Sequence, residues 1–392
     1  MINDVIDLKN KNAKLVMDLI RFRGDLTKKD IAEQTGLSIT TVSTICTDLK
    51  ELGIISEQRL SNPRVGRIPS CISFQYASFY VVGIDLQISN VLGLAISNLH
   101  NEILVSETID STQMQSAQST ADFAKQWVDR QCRTHGFDAA KVVGIGISVP
   151  AIFDRTDGCL ISCPIQRFNG VNLRQIFTER FRVPVYVDNA SNFKAISIHT
   201  VSKVSDIVCL DISQGAGVGI ICNDALLRGK NGYGAEIAHV PIGNAKLRCP
   251  SCGAYGCVEA ELQLEHILQH YPYYDARKNA DAQWKNFVEY VRNNLSEFHV
   301  LLDRIGYLLG SLTSILVNLF DPSLFLITGY IADLFPQLEP AFNDQVQKRC
   351  SLSLAKGLTF QVEQYHSKSI YEGICDTIYD NWSPLDRNSA AV

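Results

Sequence analysis

Residues 239–257 read HVPIGNAKLRCPSCGAYGC, one histidine and three cysteines in a stretch that is otherwise loop-like. Four good metal ligands in so short a segment need a reason. The chain has 12 cysteines, and those at 46, 71, 132, 159, 163, 209, 222, 350 and 375 are scattered among apolar neighbours, where they read as reduced core thiols. Only Cys249, Cys252 and Cys257 cluster, so the cluster asks for its own explanation.

Working outward, 392 residues with 46 % apolar content imply two or three folding units with real cores. The opening MINDVIDLKNKNAKLV alternates charged and apolar positions and lacks the run of a secretory signal, and no uninterrupted apolar stretch of about 18 residues occurs. The expectation is a cytoplasmic protein with no membrane insertion. The first 70 residues are net basic although the whole chain carries −5, so a polyanionic partner is sought at that end.

There, Val5, Leu8, Leu15, Leu19 and Phe22 recur at helical spacing until Gly24. Thr27, with Asp30 three residues on, caps a second helix that turns at Thr35-Gly36-Leu37. Ser38 caps a third, SITTVSTICTDLKELG (38–53), with Val42, Ile45, Leu49 and Leu52 on one face and its hydroxyls mostly on the other. This is a helix-turn-helix layout. Ser38, Thr40, Thr41, Ser43 and Thr44 are candidate DNA contacts on the third helix, able to bond phosphates or base edges. GIISEQRLSNPRVGRIPSCISF (53–74) reads as two strands around a loop bearing Arg59, Arg64 and Arg67, a wing; Arg64 and Arg67 join the candidate DNA contacts. The alternative is a three-helix bundle used for protein contacts. With few basic residues on the third helix, DNA binding is expected to be dimeric and salt-sensitive.

From Phe79 the texture changes. FYVVGIDL, VLGLAISN and EILVSETI are β-rich runs, followed by a helical stretch near 118–134 and the buried strand KVVGIGIS. A comparable series begins again at VSDIVCLDI, GAGVGIICN and ALLRGK, then leads through helices to SLFLITG and LTFQVEQ. Two α/β lobes with a cleft between them follow. HVLLDRIGYLLGSLTSILVNLF (299–320) has more apolar surface than one helix face requires, so core and subunit interface are both expected of it.

The winged segment ending in VGRIPS, then GIGISVPAIFD, GAGVGIICNDALLRGKNGYGAEIAHV and CPSCGAYGCVE together resemble the ROK family of repressors and sugar kinases over nearly the whole chain. The resemblance implies an N-terminal winged helix-turn-helix (mainly α) over residues 1–75. It implies an α/β actin-like (ribonuclease H-like) two-lobed domain over 76–392, lobe 1 at about 76–190 and lobe 2 at about 191–392, with the C-terminal helix returning to lobe 1. His239, Cys249, Cys252 and Cys257 then read as a closed tetrahedral Zn2+ site, structural and one per subunit, with Gly253 and Gly256 allowing the tight backbone. The family usually has one residue between its first two cysteines; here there are two, Pro250 and Ser251. Free thiols or a Cys249–Cys252 redox pair are the alternative. The resemblance also implies sugar-hydroxyl contacts from Asn189, Glu236, His239 and Glu259.

A kinase of this type needs a Gly-Gly-Thr turn after Asp85, but Leu86-Gln87-Ile88-Ser89 follows. The general base expected directly after Asn189 is Ala190, which takes no proton, and Gly329 continues into Tyr330-Ile331. GAG at 215–217 survives as a phosphate-loop remnant, and Asp188, two positions from the lost base, is a candidate substitute, although neighbouring strand-end residues tend to point to opposite sides. The reading is therefore a sugar-responsive regulator, a repressor with no catalytic residues, binding a palindromic operator as a homodimer or homotetramer; a sugar kinase with an accessory DNA-binding domain is the alternative.

Overall fold

In the computed structural model, the described residues are 2–59, 70–154, 158–232, 234–278, 280–350, 359–364 and 368–385. Helix α1 (Ile2–Arg23) ends where Gly24 turns left-handed. A two-residue strand, β1 (Leu26–Thr27), leads into α2 (Lys28–Thr35), where Thr27 and Asp30 form a reciprocal capping box. Ser38 caps α3 (Ile39–Glu51) through the amide of Thr41. Strands β2 (Ile55–Arg59) and β3 (Ser70–Phe74) form the wing, and β1 adds to it in the order β1-β3-β2. Strand β1 carried no sequence signal, being too short for a period. Arg64 and Arg67 lie outside the described residues.

The buried face of α1 differs from the expected one. Leu8, Leu15 and Phe22 are 59 %, 44 % and 49 % exposed, whereas Ala13, Val16, Met17 and Ile20 are buried. Both rows obey helical spacing; the one that wins also brings Lys14 and Arg21 onto the C-terminal helix described below. Leu52, expected beside Val42, Ile45 and Leu49, instead ends α3 and is largely exposed.

The first lobe runs β4 (Tyr80–Asp85), β5 (Val91–Asn98), β6 (Ile103–Asp110), α4 (Ala117–His135), β7 (Val142–Ser148), the small β8 (Ile152–Phe153) and β9 (Leu160–Ser162), α5 (Leu173–Phe181) and β10 (Val185–Asp188). The second runs α6 (Ala190–Ser202), β11 (Ile207–Ile212), β12 (Ala216–Cys222), β13 (Ala225–Leu226), α7 (Glu259–Leu262), α8 (Leu264–Leu268), α9 (Ala280–Asn293), α10 (Leu295–Phe320), β14 (Leu324–Gly329), α11 (Phe335–Arg349) and β15 (Thr359–Gln364). Helix α12 (Lys368–Asn381) closes the fold. The sheets are ordered β6-β5-β4-β7-β10 and β13-β12-β11-β14-β15. Each is an antiparallel meander extended by two parallel strands, so the repeat seen only as element order is a repeat of topology.

Helices α4 and α5 cover one face of the first sheet, while α12 lies on β4 and β7 and against α6. Helix α10 is long and apolar enough by composition to span a bilayer, yet 67 % of its most apolar window is buried, much of it against α11. Contact between α12 and α6 is closest at Gly373, where an added Cβ would overlap the backbone of Phe193. Gly373→Ala is accordingly expected to lower unfolding stability by about 1–3 kcal/mol through overpacking, read by denaturant titration; an unchanged midpoint would refute this close packing.

Candidate functional site

The segment after β13 folds back on itself as a knuckle. Gly243 donates to the carbonyl of Gly256, Gly256 to Leu247 and Cys249 to Ala254, each at 2.7–3.0 Å. Gly253 and Gly256 adopt φ of 77° and 80°, a region side chains with a Cβ resist. Glu261 holds the knuckle from beneath, accepting the Asn244 amide and a two-pronged contact from Arg304 at 2.7 and 2.8 Å.

This geometry brings the predicted ligand atoms together. One atom each from His239, Cys249, Cys252 and Cys257 lie within 4.8 Å of one another. Cys252 and Cys257 sulfurs are 3.5 Å apart, and Cys249 Sγ is 3.8 Å from His239 Nδ1. With Zn–S near 2.3 Å, a tetrahedron has edges of about 3.8 Å, so the donor set fits a four-coordinate ion closely. Nδ1 faces the sulfurs, and Nε2 is turned to Glu236 at 3.9 Å.

The knuckle forms one wall of a cavity of about 390 Å3 between the two sheets. Asn189, Glu236, His239 and Glu259 all line it, so the four expected sugar contacts share one cavity. Glu259 Oε2 is 3.4 Å from Cys249 Sγ and 3.7 Å from His239 Nδ1. Burial raises the Glu236 carboxyl above its usual range, an effect the neighbouring His239 offsets in part. Oriented by its neighbours, the Asn189 amide donates to the carbonyls of Val149 and Ala151 at 2.8 and 3.0 Å, which leaves its oxygen as an acceptor. Sequence reading missed Gln87, Asn192, Gln214, Gln263 and Glu265, which also line the cavity; they come from five separate elements or loops, and no local pattern unites them.

Two further ion pairs escaped it. Lys194, on α6, donates to Asp211 at 2.7 Å with both side chains almost wholly buried. Asp188 pairs with Arg228 and accepts from the backbone N–H of Asn189 and from Asn192 Nδ2. It is 3 % exposed, so the substitute base is held in a salt bridge. Ala190 lines the cavity, as do Gln87, Ile88 and Ser89. Gln87 binds Ser148 Oγ at 2.9 Å. Burial lifts the Asp85 carboxyl to about 6.

On α3, Ser38, Thr40 and Thr44 are exposed while Thr41 and Ser43 are half-buried. The Ser38 and Thr41 hydroxyls bond each other at 2.8 Å, so part of their capacity serves the cap. Helix α12 joins this unit to the cleft. Ile370 lines the cavity, Asp376 receives Arg21 at 2.9 Å and Asn101 at 3.1 Å, and Lys14 sits 3.3 Å over the Tyr379 ring. One apolar cluster runs unbroken from Val16 and Met17 through Ile374 to Phe193.

Comparison with known proteins is consistent with this architecture. The ROK family model matches residues 81–369, and a winged helix-turn-helix DNA-binding model matches residues 9–56. The xylose repressor of Bacillus spizizenii is 25 % identical over 352 residues, covering 89 % of each chain. The DNA-binding transcriptional dual regulator NagC of Escherichia coli is 25 % identical over 364 residues, covering 88 % of each. A crystal structure of a ROK family transcriptional regulator, a homologue of the E. coli MLC protein, superposes with a TM-score of 0.79 at 20 % identity, covering 95 % of this chain and 97 % of its own.

Elemental analysis of the purified chain is expected to find one metal ion per subunit, and Cys257→Ser to lose it. Burial pushes the metal-free Cys257 thiol up to about 12 and also raises Cys249, so an ion must displace protons there and occupancy is expected to fall with decreasing pH. Full folding stability with no metal at neutral pH would contradict the assignment.

Proposed function

The chain belongs to the ROK family, and from that we propose that it is a sugar-responsive DNA-binding transcriptional regulator, a repressor whose cleft binds a sugar without phosphorylating it. The observation that carries this reading is the single apolar core that runs from the cleft through α12 into the winged unit. A sensor needs such a connection; a kinase does not.

Residues 1–75 are the DNA-binding unit and 76–392 the sensor. Thr40 and Thr44 face outward from α3 for the major groove, with Ser38, Thr41 and Ser43 beside them, and Arg64 and Arg67, which follow β2 in the sequence, remain the candidates for backbone or minor groove. Two copies in a homodimer, or four in a homotetramer, place recognition helices on a palindromic operator in the cytoplasm. The ion at His239, Cys249, Cys252 and Cys257 is Zn2+, since three thiolates and an imidazole suit its softness and geometry. When bound it supplies a structural crosslink. His239 and Glu236 are thereby held at the cavity wall, and with Asn189 and Glu259 they offer the acceptors and donors that sugar hydroxyls need.

Ala190 cannot accept a proton, and Asp188 is occupied by Arg228, so neither of the positions considered for a kinase's base is free to activate a bound sugar. Occupancy then acts through lobe geometry. A sugar changes DNA affinity only to the extent that it binds two lobe arrangements unequally, and α12 carries the difference, since its Ile370 meets the cavity and its Asp376 holds Arg21.

Operator DNA selected from a random pool and measured by anisotropy tests the reading. Binding is expected to weaken steeply with salt, and to shift by about tenfold when xylose, the sugar in the Bacillus relative's name, or N-acetylglucosamine is added, a coupling of about 1.4 kcal/mol. Failure to select any sequence, or turnover of ATP to a sugar phosphate, would sink it. Asp376→Asn, which removes the charge facing Arg21, is expected to reduce the sugar-induced shift in DNA affinity while leaving sugar affinity within about threefold; an undiminished shift would exclude α12 as the connection.

A further inference from the structure

The central strands of the two sheets end on the same residue. Strands β4 and β11 each pair antiparallel with the next strand and parallel with a later one, and they carry one pattern, VGIDL at 82–86 and VCLDI at 208–212. Asp85 and Asp211 therefore stand at matching strand ends, one from each lobe, within electrostatic reach: the charge of Asp211 raises the proton affinity of Asp85. Two carboxylates meeting across a closing gap repel, the more strongly as water leaves. Lys194 of α6 answers both. Its ammonium donates to Asp211 Oδ2 at 2.7 Å, and its charge acts on Asp85 in the opposite sense, toward ionisation. Lys194 is 1 % exposed, and a lysine is costly to bury, so its place in the interior has a charge-based reason. The remaining surroundings are neutral. Ser213 Oγ donates to Asp211 at 2.6 Å, while Asp85 accepts from the Gln87 N–H at 3.1 Å and is bonded by Ser148. Burial keeps the Cys209 thiol, beside Asp211, and the Tyr371 phenol, beside Asp85, protonated. A Cβ at Gly93 would stand 2.6 Å from the Tyr371 hydroxyl and 3.1 Å from Asp85 Cβ, so Asp85 neighbours the helix α12 that reaches the winged unit.

We infer that Lys194 is a positioning residue of the sensor: its buried ammonium neutralises one carboxylate from each lobe, so that the lobes close over a bound sugar without like-charge repulsion at the hinge. This rests on the sugar-binding reading, and one experiment separates the two. Calorimetric titration with D-xylose, D-glucose and N-acetylglucosamine, from about pH 6 to about pH 8, compares the full-length, zinc-loaded native chain with Lys194→Met and with Lys194→Met/Asp211→Asn, each also unfolded in urea. A lysine kept for its bulk is replaced by methionine at little cost; a lysine kept for its charge is not. Lys194→Met is expected to bind the best of these sugars about tenfold more weakly near pH 8 and to recover as pH falls. The sign follows from Asp85, whose carboxyl titrates at about 6 with Lys194 present. Removing the cation that lowers it, while Asp211 still raises it, moves that titration upward. Protonation then relieves the facing charges, and affinity is lost as pH rises through the new value. The double variant, with an amide in place of the second carboxylate, is expected to return to within about threefold of the native affinity and to lose the added pH dependence. Native affinity and pH profile in Lys194→Met, or a double variant as weak as the single one, overturns the inference and leaves sugar sensing standing. A native chain that binds none of the sugars overturns both. If Lys194→Met does not fold, the double variant decides alone: native-like binding upholds the counter-charge, and weak binding or failure to fold assigns Lys194 to packing.

Discussion

The approach of α12 to α6, backbone against side-chain-free backbone at Gly373, is the contact on which the rest of the molecule depends. It places the last helix of the chain between the two sheets. Tyr371, Ile374 and Ile378 then pack over glycines of β4, β5 and β7, where no side chain competes for the space. From that seat α12 also reaches the winged unit, and the buried Arg21–Asp376 pair closes the link. A buried pair of this kind adds little net stability, but loss of one member strands the other. It is better understood as fixing how the winged unit sits.

The cleft is organised by the same economy of buried charge. Lys194 with Asp211, Arg228 with Asp188 and Arg304 with Glu261 are each paired at hydrogen-bond distance or closer, so the polar groups left to face the cavity include glutamates, His239, amides and hydroxyls. The cysteine knuckle, braced by Glu261, sets the positions of His239 and Glu236. The four candidate metal ligands and the proposed sugar contacts therefore share a wall, and the geometry of one constrains the other.

A cleft between two sheets of like topology is a natural hinge. Helix α6 begins in the cavity at Ala190, packs on β11 and β12 of the second lobe, and meets α12 along its length. Any change in the angle between lobes is thus felt at α6 and α12 together, and the winged unit rides on the latter. Transmission by packed helices needs no flexible tether, because their close-packed surfaces have few intermediate arrangements.

Much of this was legible in the chain itself. Caps at Thr27 and Ser38, the turn at Gly36, the strand runs and the spacing of His239, Cys249, Cys252 and Cys257 are local signals, written in residues a few positions apart, and the structure carries them as expected. The resemblance, and not the local sequence, implied that Ala190 stands where a kinase of this family would carry its base. What only the tertiary structure decided were the choices between equally periodic options and the meetings of distant residues. The buried stripe of α1 was one, since two rows of apolar residues fit a helix and packing on α2, α3 and β3, together with the seat of Lys14 and Arg21 on α12, selects between them. The pairs Lys194–Asp211, Asp188–Arg228 and Arg21–Asp376 were the others: a charge finds its partner through space, and nothing in a residue's near neighbours along the chain records which carboxylate the fold will bring to it.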